Sequence, residues 1–126
     1  MRVFKLKAFA RFQRREGLSD QVLCQAVRDA EAGLVNADLG GGLIKQRVAR
    51  KGQGKRGGYR TLVAFRSGAR AVFLLGFAKN ERDNIDPDEL ATLRQRAQAF
   101  LGLSEAAIEA RIADDDMMEV DYGDDT

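Results

Sequence analysis

The chain has 126 residues, with 21 Lys and Arg, 19 Asp and Glu, one Cys and no His, a length that suits one domain around one core. Lacking His and holding a single Cys, it excludes zinc sites, Ser-His and Cys-His nucleophiles and an internal disulfide framework, and the lone thiol fits a reducing compartment. The longest apolar run, residues 71–78, is too short to cross a bilayer, and residues 1–7 (MRVFKLK) lack the apolar region of a signal peptide, so a cytoplasmic protein with no membrane partner is expected.

In chain order, Phe4 and Leu6 lie on a short extended start that leads into a basic helix. That helix carries Phe9 and Phe12 on one face among Lys7, Arg11, Arg14 and Arg15, with Lys5 just before it, and Gly17 ends it. Ser19 and Asp20 can cap a second helix with the stripe Val22, Leu23, Ala26, Val27 and Ala30 and with Gly33 as its stop; Cys24 beside that stripe reads as packing. The middle is β. Residues 43–49 alternate, so Ile44, Gln46 and Val48 share one face, and Lys45 and Arg47 the other. Residues 50–58 (RKGQGKRGG) read as an irregular loop. Residues 59–66 form a strand, Ser67-Gly68 a two-residue turn, and residues 70–79 a central strand apolar on both faces. This register sets Arg60 opposite Leu75, on the face of Phe77 and Lys79. Asp86, Pro87 and Glu89 open a third helix, whose stripe is Leu90, Leu93, Ala97, Phe100 and Leu101, before Gly102. Ser104 and Glu105 open a shorter helix through Ile108 and Ile112. Residues 1–113 are thus expected to form one domain. Residues 114–126 are expected to be an acidic tail, in which Met117, Met118 and Val120 offer the alternative of a short edge strand.

The formal net charge of +2 hides an uneven distribution. Residues 1–82 hold 18 basic and 6 acidic side chains, and residues 83–126 hold 3 and 13. Between Asp38 and Glu81 stand ten basic residues and no carboxylate. So one-sided a stretch points to a polyanion partner, most often nucleic acid, because each neutralised phosphate releases counterions. The plainer reading is a solvated face balanced by the acidic C-terminal part, and residues 114–126 could fold back upon it. In the glycine-rich segment a phosphate-binding P-loop fails at both ends: Ala49 stands where its first Gly is needed, and Arg56 follows Lys55 in place of Ser or Thr. A basic loop along a nucleic-acid backbone, with Arg50, Lys51, Lys55 and Arg56 as contacts, fits better than a plain hairpin loop.

Several of these residues, in this order, carry a resemblance: LGGG (39–42), IKQR (44–47), GKRGGYR (54–60), an apolar strand, then FAKNERDNI (77–85). The chain resembles the RelE/HigB toxins of toxin–antitoxin systems, most closely the HigB-like branch, from about Phe4 to Ile112 and more weakly to Val120. The resemblance implies an α/β (α+β) fold, with two N-terminal helices packed on a small, mostly antiparallel sheet, and C-terminal helices. It also implies a cofactor-free, metal-independent mRNA endonuclease that works on the ribosome beside 16S rRNA. Its partner would be a cognate antitoxin, through which alone it would reach operator DNA.

RNA cleavage by the 2′-hydroxyl needs that oxygen deprotonated, the phosphorane's charge stabilised and the leaving oxygen protonated. Arg is a strong bidentate phosphate clamp and a poor proton carrier, while Lys serves as a base only where like charges crowd it. The candidate catalytic residues are therefore Lys45, Arg47, Arg60 and Lys79, with Lys45 or Lys79 for proton transfer and Arg47 and Arg60 for charge. Arg82 joins Arg50, Lys51, Lys55 and Arg56 as an RNA contact. The chain departs from the best-known RelE pattern in holding Asn80 where that pattern has an arginine and, most nearly, Asp86 where it has a tyrosine; HigB-like members often lack that tyrosine. Two other classes fit the same features: a ParE-like toxin that poisons DNA gyrase without catalytic residues, and a non-catalytic nucleic-acid-binding module.

Overall fold

The computed structural model describes residues 1–50, 54–78 and 85–123, with residues 50 and 54–57 described in their backbone alone. Its elements are β1 (Arg2–Leu6), α1 (Lys7–Glu16), α2 (Asp20–Glu31), β2 (Ala37–Gly40), β3 (Leu43–Arg50), β4 (Gly54–Arg66), β5 (Arg70–Ala78), α3 (Pro87–Leu101), α4 (Glu105–Ala113) and β6 (Met117–Val120). The strands form one six-stranded sheet in the order β2-β3-β4-β5-β1-β6. Every neighbouring pair is antiparallel except β1 and β5. This is the mixed α/β architecture expected, with a helix pair on each face. No helix among the described residues is long and apolar enough to cross a membrane.

The helices start and stop where their capping residues require. Gly17 closes α1 in the left-handed conformation, at φ 69°, and its amide donates to the Arg14 and Gln13 carbonyls. The Ser19 hydroxyl accepts from the Val22 amide at the head of α2, and the Asp86 carboxylate from the Asp88 amide at the head of α3. Phe9 and Phe12 of α1 and Leu23, Ala26, Val27 and Ala30 of α2 bury against one sheet face, with Ile44, Val48, Val63 and Phe73. Leu93, Ala97, Phe100 and Leu101 of α3 and Ile108 of α4 bury against the other, with Leu43, Leu62, Val72 and Leu74. Cys24 is 3% exposed, its Sγ donates to the Asp121 carbonyl, and burial pushes the thiol's pKa up. It is a packing residue.

Two expectations about the central hairpins need correction. The first is the irregular loop at residues 50–58, because β4 already begins at Gly54, paired with Arg50. Glycine weakens a strand without forbidding it, and the ladder that runs from Leu43↔Ala64 to Val48↔Tyr59 carries the pairing onward past one irregularity. The second is the turn. Arg66 pairs with Arg70, so three residues rather than two separate the strands, with Gly68 at φ 73°. A bulge then makes Leu74 an extra residue: Val63 pairs with Phe73 but Leu62 with Leu75. Arg60 is consequently opposite Phe77, not Leu75. Each slip moves the register by one in the same sense, and side chains alternate with period two, so Arg60 keeps the face expected for it.

Beyond the bulge, Gly76 lies under α1, where an added Cβ would come 2.4 Å from the Phe12 ring. Phe12 is buried and wedged between Phe9 and Tyr59, with ring centroids at 5.6 and 5.5 Å. Gly76→Ala is therefore expected to cost about 1–3 kcal/mol of stability by overpacking, read as a lower urea midpoint at unchanged m-value. An unchanged midpoint would mean that α1 moves outward at no cost.

Among the described residues, the acidic C-terminal segment lies away from the basic faces of β3 and β4. Residues 117–120 take the strand alternative and pair with β1 at the sheet edge remote from β3. Arg2 ties this region together through Glu105, Glu109 and Glu119, at 2.5, 3.0 and 2.8 Å. Residues 121–123 run along α2, where Arg28 donates to the Tyr122 carbonyl and lies over its ring.

Candidate nucleic-acid interface

Gln46 decides which way β3 faces. It is 4% exposed, its Nε2 donates to the Ala26 and Leu34 carbonyls at 2.9 and 3.2 Å, and its Oε1 accepts from the Asn36 amide at 2.8 Å. The Thr61 hydroxyl, on β4, donates to the Gln46 carbonyl. With Ile44, Gln46 and Val48 committed to the α1–α2 side, Lys45 and Arg47 must point to the opposite face. Sequence reading places Gln46 on the apolar face, and its three side-chain hydrogen bonds explain why a polar residue belongs there.

On that opposite face, Arg47 pairs directly with Arg60 of β4, and Arg60 with Phe77 of β5. The adjacent row is Lys45, Leu62 and Leu75. The structure thus brings three of the four candidate catalytic residues to one face, on neighbouring strands. Directly opposed residues have Cα atoms about 4.5–5.5 Å apart, so the two side chains leave the sheet side by side, and the charge of Arg47 is felt at Arg60. Arg47 is exposed and Lys45 half-buried. Among the described residues neither meets a carboxylate.

Arg60 is the unusual member. It is 8% exposed, and its Nη1 is buried without a hydrogen-bond partner among the described residues. Its pKa is lowered, first by burial and then by the charge of Arg47. A buried cation facing a second cation, with a donor left over, is an unfavourable arrangement until an anion arrives. Guanidinium groups so placed suit the paired oxygens of a phosphate.

Two other members of the acid-free stretch serve the fold instead. Arg70 Nη1 donates to the Phe100 and Leu103 carbonyls, both at 2.8 Å, and Arg66 Nη1 to the Leu101 carbonyl at 3.1 Å. Both close the C-terminal end of α3, a role that charge counting along the sequence does not separate from ligand binding. Of the remaining candidates, Lys79, Lys51 and Arg82 lie outside the described residues. Arg50, Lys55 and Arg56 are placed by backbone alone, at the end of β3 and the start of β4.

Residues 1–120 match the family model described as the RelE toxin of the RelE / RelB toxin-antitoxin system. No curated protein matches the chain.

Proposed function

The chain belongs to the RelE toxin family, hence it is the toxin of a toxin–antitoxin module with a cognate antitoxin as partner, and from that premise we propose that it is a HigB-like, ribosome-dependent endoribonuclease that cleaves translated mRNA in the cytoplasm. The observation that carries this reading is the cross-strand pair Arg47↔Arg60, with Arg60 buried and its Nη1 without a hydrogen-bond partner among the described residues. That pair would hold the scissile phosphate and stabilise the charge of its pentavalent state. Lys45, one row along the same face, or Lys79 would move the proton from the 2′-hydroxyl. Arg50, Lys51, Lys55, Arg56 and Arg82 would hold the flanking backbone, with 16S rRNA beside it.

The test is a translation extract programmed with a defined message, to which the purified toxin is added and in which cleavage sites are mapped by primer extension. Cuts are expected only on translated message, and Arg47→Ala should reduce their rate by about 10²–10³, the cost of losing one preorganised charged donor. Message that stays intact in the extract would overturn the nuclease reading, and inhibition of purified DNA gyrase by the same protein would then favour a gyrase-directed toxin.

A further inference from the structure

The bulge at Leu74 does more than lengthen β5: it decides which side chain stands beside Arg60. Phe73, just before it, packs on the α1–α2 side of the sheet. Leu74 and Leu75 then both turn to the α3–α4 side, so the alternation breaks once. Beyond them Gly76 lies under Phe12, Phe77 returns to the α3–α4 side and Ala78 to the α1–α2 side. Had the register of Val63↔Phe73 run on unbroken, Arg60 would stand opposite Gly76, and Phe77 opposite Tyr59. With the bulge, Arg60 is opposite Phe77. One extra residue thus exchanges a glycine for a phenylalanine beside the buried guanidinium.

Arg66 and Arg70 are held in place by the carbonyls that end α3. Arg60 has no such hold on its Nη1 among the described residues. Its two cross-strand neighbours are Arg47, exposed and of like charge, and Phe77, buried at 6% exposure. Side chains directly opposed across an antiparallel pair start with Cβ atoms about 4.5–5.5 Å apart, within reach of long and aromatic groups. Repulsion from Arg47 drives the guanidinium toward β5, where the Phe77 ring closes the way. An aromatic ring loses little freedom on burial, so that wall is stiff. It also keeps water from the inner side of the guanidinium, where a hydrogen bond to an anion is stronger than in water.

We propose that Phe77 is the positioning residue of the anion site: set beside Arg60 by the bulge, its ring holds the guanidinium alongside Arg47 in the orientation that grips a phosphate. Phe77 acts through Arg60 and touches no substrate. That the phosphate is the scissile one rests on the function proposed above; the hold on Arg60 does not.

The experiment observes Arg60 itself. Arginine Nε–H signals of the full-length, ¹⁵N-labelled toxin are followed by NMR during a titration with inorganic phosphate, and Arg60→Lys shows which signal belongs to Arg60. In the wild type that signal should be sharp and should move as phosphate binds. In Phe77→Leu it should exchange with water too fast to be seen, and phosphate should bind about tenfold more weakly, the worth of one charge-assisted hydrogen bond. Cleavage of translated message by the same variant should slow by about 10–10² in kcat at unchanged KM, as for a misplaced catalytic group. Phe77→Met, closer in reach, takes its place if the leucine variant does not fold. Ile108→Val, on α4, takes a methylene from the same buried cluster. It should melt lower and keep the signal, the phosphate affinity and the rate. If Phe77→Leu also melts lower and keeps all three, Phe77 is a core residue only and the proposal is overturned. A wild type that leaves translated message intact, while Phe77→Leu still weakens phosphate binding, would defeat the nuclease reading and leave the positioning role standing.

Discussion

Arg60→Met is expected to yield a protein that is both more stable and inactive. Arg60 sits on a central strand at 8% exposure, with Nη1 unpartnered among the described residues and Arg47 directly across the ladder. Its lowered pKa has the same origin: folding disfavours the charged form, and at every accessible pH the group stays charged, so the folded state carries the cost throughout. Methionine has similar reach, no charge, and apolar neighbours in Leu62 and Phe77. Replacing poorly compensated buried charge by well-packed apolar side chains has given about 1–4 kcal/mol in other proteins. A gain of about 1–2 kcal/mol here would raise the melting temperature by roughly 3–8 °C. Cleavage of translated message should fall by about 10²–10³. Inorganic phosphate should narrow the gap in melting temperature, because it stabilises only the form that binds it. If Arg60→Met lowers the melting temperature instead, Arg60 is a structural residue and the candidate site loses its centre.

That trade-off was half-legible in the sequence. The alternation through residues 43–49 places Lys45 and Arg47 on one face, and the structure agrees because Gln46 is locked to the other. The side of the sheet that Arg60 faces is legible in the sequence, whereas its cross-strand partner is not. A turn one residue longer and a bulge at Leu74 each shift the register by one, and nothing in a uniformly apolar stretch such as residues 71–75 marks which residue is the extra one. The caps at Gly17, Ser19 and Asp86 were readable because they rest on local backbone chemistry. The division of labour among the arginines was not. Arg60, Arg66 and Arg70 look alike in a charge count, and only the docking of α3 on the sheet sets two of them on helix carbonyls. Long-range pairing likewise decided the acidic segment: Met117–Val120 joins β1 because the sheet has an open edge there. The basic helix is visible from its first turn, but that Lys7, Arg11 and Arg14 form no ion pair among the described residues, while Arg15 meets Glu16, emerges only once the neighbouring elements are in place.

Arg70→Met should move stability the other way. Arg70 is also 8% exposed on the same sheet, so burial alone would predict the same outcome as for Arg60. The difference is satisfaction. Its Nη1 is held by the carbonyls of Phe100 and Leu103, and its Nη2 by Glu105 at 3.1 Å. Those carbonyls end α3, which closes on Gly102 at φ −89° and not in the left-handed conformation that glycine caps usually adopt. The cation therefore does the capping, at the helix end where the dipole favours it. Removing it strands the Leu103 carbonyl and loosens the join between α3, α4 and β5, at a cost of about 3 kcal/mol, consistent with two buried charge-assisted bonds of roughly 1.5–3 kcal/mol each less the methionine's own burial. Glu105 is exposed, so its ion pair adds little to that sum. Its carboxyl is nevertheless held below its ordinary pKa by Arg2 and then by Arg70. A depressed folded pKa contributes stability above the unfolded value and loses it as pH falls, so the variant should be less sensitive to acid below about pH 4.5 than the wild type. Chemical denaturation of both methionine variants at neutral pH separates the cases. Opposite signs at Arg60 and Arg70 would establish that pairing, not burial, distinguishes the arginine kept for the ligand from the one kept for the fold. Equal losses would mean that both are structural.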